Sequence, residues 1–473
     1  MVKSIARKEF ISTLRDKRFV TLSALLFFLL LTATLVGLHS FNQLQAERTA
    51  AQETVREQWV NQPDRHPHRV AHYGSFVFRP KSGLSFLDFG IDSYTGVSVF
   101  LEAHRQNSAN FSQAQQSGSL IRFGEMTVAF VLQMLLPLLI IFLCFGAFTQ
   151  EKESGTLKIL LTQGITLRQI AWAKIRGYSQ VTGLITGPAL LVAGCFIFGL
   201  NSFEVNPEIF FRLFLFLSLY AVYFFICIAG SVIVSALSKS SRLALVSLLG
   251  IWILSCIIIP KAASNLGAGL YPAPTKAQMD ADVHEEAVKG IDGHNPKDKR
   301  GEALLTSLLI QYRVDSVHQL PVNFEGIVMA EGEEYSSKVY QKHFEELQQT
   351  FHQQNSIAVW AGFFNPYLAL RQLSMGLAGA DFHHYVHFQQ EAESYRYRFV
   401  QRLNELQATH ITYGNKNQRL AAETWSTFEP FDYRAPSVGW VLVRHLIPLL
   451  ALGGWLFLLL ALGPKLIEKA QIV

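Results

Sequence analysis

Cysteine is scarce: there are four in 473 residues, and Cys144, Cys195, Cys227 and Cys256 all fall inside apolar runs. The polar stretches between those runs therefore hold no thiols, and no disulfide framework staples them. The chain also lacks a Gly-x-x-x-x-Gly-Lys-Ser/Thr loop, the backbone cradle for nucleotide phosphates, so it does not bind ATP in that manner. No Gly-x-Ser-x-Gly elbow is present. His284-Glu285-Glu286 opens like a zinc-protease helix, but Val288 stands where the second His is needed, so that ligand pair fails. Serine and metallo-hydrolases are disfavoured, and no cofactor of the chain's own is expected. Charge is sparse too, at 16%. The net +5 shows no Lys/Arg patch interleaved with aromatics, which argues against a nucleic-acid partner.

What is abundant is apolar surface. Half the residues are hydrophobic, 36 are Phe, and the mean hydropathy is +0.21. A bilayer core about 30 Å thick needs roughly 20 apolar residues per spanning helix. Six segments qualify: 19–38, 126–148, 178–200, 209–237, 243–259 and 438–462. Pro137, Pro188 and Pro448 fall within them, which membranes tolerate because neighbouring helices satisfy the freed backbone groups. The fold class expected is an all-α polytopic membrane protein.

Basic residues set the orientation. Lys3, Arg7, Lys8, Arg15, Lys17 and Arg18 precede the first span, and Lys152, Lys158, Arg168, Lys174 and Arg176 lie between the second and third. Lys239 and Arg242 separate the fourth from the fifth, and Lys465 and Lys469 follow the sixth. All these fall on one side, so both termini are expected in the cytoplasm, including the tail 463–473. Their charge suits anionic lipid headgroups. The opposite side receives loop 40–124, a short loop 201–208 and loop 261–436. Ile357–Leu377 nearly reaches spanning length, but Asn365, Pro366, Arg371 and Gln372 interrupt it. It reads as a buried or interfacial helix of the outer domain.

The two long loops are expected to build a large, mainly helical extracytoplasmic cap. Tyr340, Phe344, Leu347 and Phe351 make an apolar stripe on a helix beginning near Gly332. Phe388, Ala392, Tyr395, Phe399, Leu403 and Leu406 make another, with Gln348, Gln349, Arg396 and Arg398 on the remaining faces. Gln43 to Val60 continues the first span as a helix, Tyr73 to Val99 suggests turns with short strands, and Tyr271 to Gly301 reads as a flexible surface segment.

The sharpest motif is Glu151-Lys152-Glu153-Ser154-Gly155-Thr156-Leu157-Lys158-Ile159-Leu160-Leu161, a charged hook between the second and third spans. It resembles the coupling element of type-2 ATP-binding-cassette (ABC) transporter permeases, in their large-outer-loop branch. His72-Tyr73-Gly74, Leu87-Asp88-Phe89-Gly90 and Phe364-Asn365-Pro366 are similar to phrases of that branch. The resemblance implies that 149–176 is a cytoplasmic coupling element. Glu151, Glu153, Gly155, Thr156, Leu157, Leu160 and Leu161 would form its contact with a separate ATPase. It further implies a cytoplasmic ABC ATPase dimer carrying ATP-Mg, a second permease subunit identical or related to this one, and residence in a bacterial inner membrane. Residues 1–18 place Val2, Ile5, Ala6, Phe10 and Leu14 at helical spacing, as in an amphipathic helix lying at the interface. Ala6-Arg7-Lys8-Glu9-Phe10 looks like the start of the family's elbow, with Arg7, Lys8 and Phe10 near the ATPase contact; a plain basic flank would carry the same charges. The first span reads as a signal-anchor rather than a cleaved leader.

Histidines concentrate in the outer loops. His383 and His387 stand one helical turn apart, and with His384 they are candidates for a metal, against the commoner reading of solvated loop histidines. Arg212 and Arg444 sit at span ends, where long side chains usually reach the headgroups; a substrate role for Arg444 is the alternative. The function expected is the permease subunit of an ABC exporter. An ATPase-driven scaffold transmitting force to an extracytoplasmic protein is the main rival, and a sensor with an outer ligand-binding cap is the third.

Overall fold

The computed structural model describes residues 2–110, 112, 126–200, 206–291, 295 and 298–470. Parts of loops 40–124, 201–208 and 261–436 and the last three residues of the tail lie outside the described residues. Helices α1 Val2–Arg15, α2 Lys17–Val60 and α3 Pro67–Tyr73 come first, followed by an antiparallel pair, β1 Ser75–Phe78 and β2 Ser98–Leu101. Helix α4 is continuous through Val128–Phe130, a π-helical Val131–Leu135 and Leu136–Cys144. Two short helices, α5 Thr149–Glu153 and α6 Thr156–Thr162, make the hook. Then come α7 Leu167–Leu200, α8 Pro207–Leu237 and α9, which runs Ser241–Ile253, π-helical Leu254–Ile258 and Ile259–Leu270.

Among the described residues six helices are long and apolar enough to cross a membrane, the count read from the sequence. Their starts are local: Asp16, Asn206 and Ser240 each accept a hydrogen bond from a first-turn N–H, and Pro207 occupies a first-turn position that needs no donor. The expected continuation of the first span past Gln43 is present. At 1.5 Å per residue the 44-residue α2 is about 66 Å long, twice the hydrocarbon thickness, so its second half is a mast. Trp59 at its end is buried in the cap with Val70, Phe399, Trp425 and Phe428.

The cap continues with α10 Lys276–Ala287, α11 Lys299–Tyr312, α12 Phe324–Ala361, α13 Pro366–Ala378 and α14 Phe382–His410. Several expectations change. The segment from Tyr271 contains α10, begun by a capping box in which Thr275 and Gln278 satisfy each other's backbone. Helix α12 starts at Phe324, well before Gly332, because Asn323 caps it by accepting from the Glu325 N–H. Arg396 is not on an exposed face: it is 1% exposed and paired with Glu333 and Glu393.

Ile357–Leu377 also differs from a single outer-domain helix. It is the end of α12, a turn at 362–365, and α13, whose Leu368, Leu370, Leu373 and Leu377 join the core of the membrane bundle. The turn reaches well down the bundle: Trp455 Nε1 donates to the Gly362 carbonyl at 3.3 Å, and Asn365 Nδ2 donates to the Ser255 carbonyl at 2.7 Å. Ser255 lies in the π-helical turn of α9, where a widened turn alters the usual pairing and its carbonyl receives this side-chain donor. The last span also shifts. A short α15 Val438–Arg444 breaks at His445, and α16 Leu446–Glu468 is the long helix, so it begins later than 438 and runs past 462.

Candidate functional site

Two glycines shape the hook end of the bundle. Gly155 has φ 73°, the left-handed conformation that ends α5 and turns the chain into α6. Gly177 of α7 lets the elbow α1 close on it: a Cβ there would meet the Ala6 carbonyl oxygen at 2.8 Å. Elbow and third span therefore meet at backbone distance.

Between them lies a buried ionic cluster. Lys174 Nζ of α7 donates to Glu9 Oε1 and to Glu151 Oε1, both at 2.9 Å, and Tyr178 OH donates to Glu9 Oε2 at 3.0 Å. Lys8 Nζ closes the ring from the surface, 3.3 Å from the same two oxygens. Two cations face two carboxylates, so the cluster is neutral. Burial pushes the Glu9 carboxyl up, but Lys174, Lys8 and Tyr178 together outweigh it and hold Glu9 below its ordinary value. Glu151 Oε2 has no hydrogen-bond partner among the described residues.

The rest of α5 ties the remaining helices. Glu153 accepts from the Ser241 N–H at 2.8 Å and from its hydroxyl at 2.9 Å, at the first turn of α9. Lys152 Nζ donates to the carbonyls of Ala236 and Ser238 at the end of α8, at 2.5 and 3.2 Å. A carboxylate at a helix start and an ammonium at a helix end both oppose the local helix dipole. Helix α6 stands outside this lattice. Leu157 is buried at 1% and Leu160 and Leu161 pack against the core, whereas Thr156, Lys158 and Ile159 are exposed, Ile159 at 58%.

The sequence-derived contact residues thus divide. Glu151, Leu157, Leu160 and Leu161 face inward and anchor the hook, because the buried Lys174 and the apolar core take their side chains. Glu153 and Thr156 are exposed, and Gly155 makes the turn. In the elbow, Arg7 and Lys8 are exposed and Phe10 packs on the core. Lys174, counted by sequence among basic residues of the loop, is buried, and Glu9 and Tyr178 complete its pocket. Their signals were readable: Glu9 repeats four residues after Ile5, on an apolar face, and Lys174 and Tyr178 share a face of α7. Ile159 escaped notice as one apolar residue among several.

A second polar line crosses the other end of the bundle. Gln133 Nε2 donates to Tyr220 OH at 2.7 Å, Tyr220 OH meets Ser374 Oγ at 2.9 Å, and Ser374 Oγ donates to Asp88 Oδ2 at 2.5 Å. Burial pushes the Asp88 carboxyl above its ordinary range. Arg212 does not reach outward from its helix end: it is buried and bonds Glu208, the Leu377 carbonyl and the Pro436 carbonyl. Arg444 is exposed, with its guanidinium 3.9 Å over the Trp440 ring.

The three histidines proposed for a metal part company. His384 Nδ1 bonds Asp381 Oδ1, and His387 Nδ1 meets Tyr433 OH at 3.1 Å. His383 instead gathers with Asp381 and His445, one ligand atom from each lying within 4.8 Å of the others. Tertiary packing, not helical spacing, chose that set. Burial pushes the His383 imidazole down to about 4.

Residues 96–255 match a family described as ABC-2 family transporter protein, covering β2, the second to fourth spans, the hook and the first half of α9. Residues 276–434 match a domain of unknown function, DUF3526, which covers most of the cap's second loop. No curated protein matches the chain.

Proposed function

From the match of residues 96–255 to the ABC-2 type transporter permease family, we propose that this chain is such a permease and that the hook is where a separate cytoplasmic ABC ATPase dimer grips it to drive export across a bacterial inner membrane. The observation that carries this reading is the division of labour in the hook. Helix α6 offers Thr156, Lys158 and Ile159 outward, while Glu151, Lys152 and Glu153 of α5 bind the hook to four other helices. A push on α6 would pass through Glu151 and Lys174 to α7 and α1, through Glu153 to α9, and through Lys152 to α8. ATP and Mg would sit on the partner; this chain supplies the lever. Nucleotide shifts the permease between states only through differential binding to them. A second permease subunit, a copy or a relative, would complete the assembly, with both termini on the ATPase side.

The test is recovery of the partner. Full-length tagged chain, extracted gently from its native membrane, is expected to bring down a nucleotide-hydrolysing subunit, and Ile159→Asp is expected to lose it while staying folded. Absence of any hydrolysing partner with the unaltered chain would sink the proposal.

A second reading has its own support. The polar groups from Gln133 to Asp88 satisfy one another within the bundle, as suits spans that move as packed rods. In that case the ATPase stroke works on an extracytoplasmic protein through the cap, and no solute crosses. Flux into sealed vesicles containing the whole complex separates the two.

A further inference from the structure

The cap holds three imidazoles that the lever does not use. His68 and His72 stand one turn apart on α3, and His104 comes from the turn after β2. One ring nitrogen from each lies within 4.8 Å of the other two. Three points so placed all fall within about 2.8 Å of a common centre, against about 2.0–2.1 Å for a zinc–imidazole bond. Side-chain rotation of about 0.7 Å closes the difference.

The surroundings of His104 are those of a metal ligand rather than of a loop residue. Its Nδ1 lies 3.3 Å from Glu333 Oε2, and the same oxygen accepts the His104 backbone N–H at 2.8 Å. Glu333 is fully buried, and its other oxygen takes Arg396 Nη1 at 2.5 Å. A carboxylate on the far nitrogen of an imidazole fixes the ring and raises its basicity, the usual outer support of a metal-bound histidine. His104 also has φ 63°, a left-handed conformation uncommon outside glycine, and the Glu333 contact to its N–H holds it there. His72 is exposed and the other two are partly so, which gives an ion a way in.

We propose that His68, His72 and His104 form a binding site for a divalent transition-metal cation of the kind imidazoles favour, such as zinc, with Glu333 as the positioning residue. Three protein ligands leave a fourth position open on the metal, for water or an incoming donor. All three ligands come from the first loop, and His104 is tied through Glu333 and Arg396 to α12 and α14 of the second. It stands independently of the partner that engages the hook.

The experiment uses the full-length chain in detergent or nanodiscs, stripped with chelator and titrated with zinc alone, then with cobalt(II) to read its visible bands. One equivalent should bind, with a tetrahedral cobalt spectrum. His72→Ala should lower affinity at least tenfold while leaving metal-free thermal unfolding unchanged, because His72 is exposed. His104→Ala should do the same to affinity, and Glu333→Gln should weaken binding about 10- to 100-fold and shift the cobalt bands. His383→Ala, which disables the other histidine grouping, should leave the affinity of this equivalent intact. No zinc uptake by the unaltered chain, or uptake unaffected by both His72→Ala and His104→Ala, overturns the proposal.

Discussion

The hook and the cap each bury one cation between two carboxylates, but they choose different cations. In the cap, Arg396 spends its whole fork: Nε and Nη2 grip both oxygens of Glu393 at 2.8 and 2.7 Å, and Nη1 serves Glu333 and the Glu102 carbonyl. In the hook, Lys174 holds one oxygen each of Glu9 and Glu151, and Glu151 Oε2 is left without a partner. A guanidinium fixes direction as well as distance, whereas an ammonium is a point charge that can pass between acceptors as helices slide. The Arg site reads as a frame and the Lys site as a joint. That distinction fits the lever role proposed for the hook.

Breaking the frame should cost most. Arg396→Leu leaves Glu333 buried and uncompensated, and removal of one partner of a buried pair costs about 3–5 kcal/mol. The expected outcome is a large drop in the unfolding temperature of the purified chain and loss of hydrogen-exchange protection in α12 and α14. Breaking the joint should cost less, because Lys8 remains to offset one of the two carboxylates. For Lys174→Met about 1–3 kcal/mol is expected, together with a loss of transport or partner stimulation larger than the stability loss explains. Equal stability losses at the two sites would erase the comparison.

Glu151→Ala sharpens it further. Glu151 already has an unpartnered oxygen, so its removal should disturb stability less than Lys174→Met while still uncoupling hydrolysis from transport. Full coupled transport in Glu151→Ala would count against the joint. Acid should touch the joint through Glu9. Its folded value lies below its ordinary 4.5, so its contribution is whole above about pH 4.5 and is lost as pH falls through the lowered value. Exchange protection of α1 is therefore expected to be flat from pH 7 to 5 and to fall below that range. Smallest in stability is Ile159→Asp, an exposed change expected within about 0.5 kcal/mol. Its effect should appear in partner recovery instead.

Much of this was legible beforehand because it is local or additive. The apolar runs from 19–38 to 243–259 are readable by length alone, and Gln43–Val60 carries helical character straight out of the first span. The hook was found from eleven consecutive residues. What escaped depends on residues far apart in the chain. Nothing local to Arg396 says that Glu333, 63 residues earlier, will bury it. Similarly, Lys174 looks like one more topogenic charge until Glu9, 165 residues away, is packed against it. The last span moved for a related reason: hydropathy runs on through 438–462, but the chain breaks at His445, which packs beside Asp381.

Hydropathy and the spacing of basic residues by themselves determined that this chain is a six-helix membrane protein with a charged hook and a bulky cap, since burial in lipid is set residue by residue along each helix. Only the tertiary structure decided which charges are anchors and which are free to meet a partner, and which histidines converge. Those properties belong to atoms brought together across hundreds of residues, where the cost of burying a charge must be offset by a partner that the local sequence does not contain.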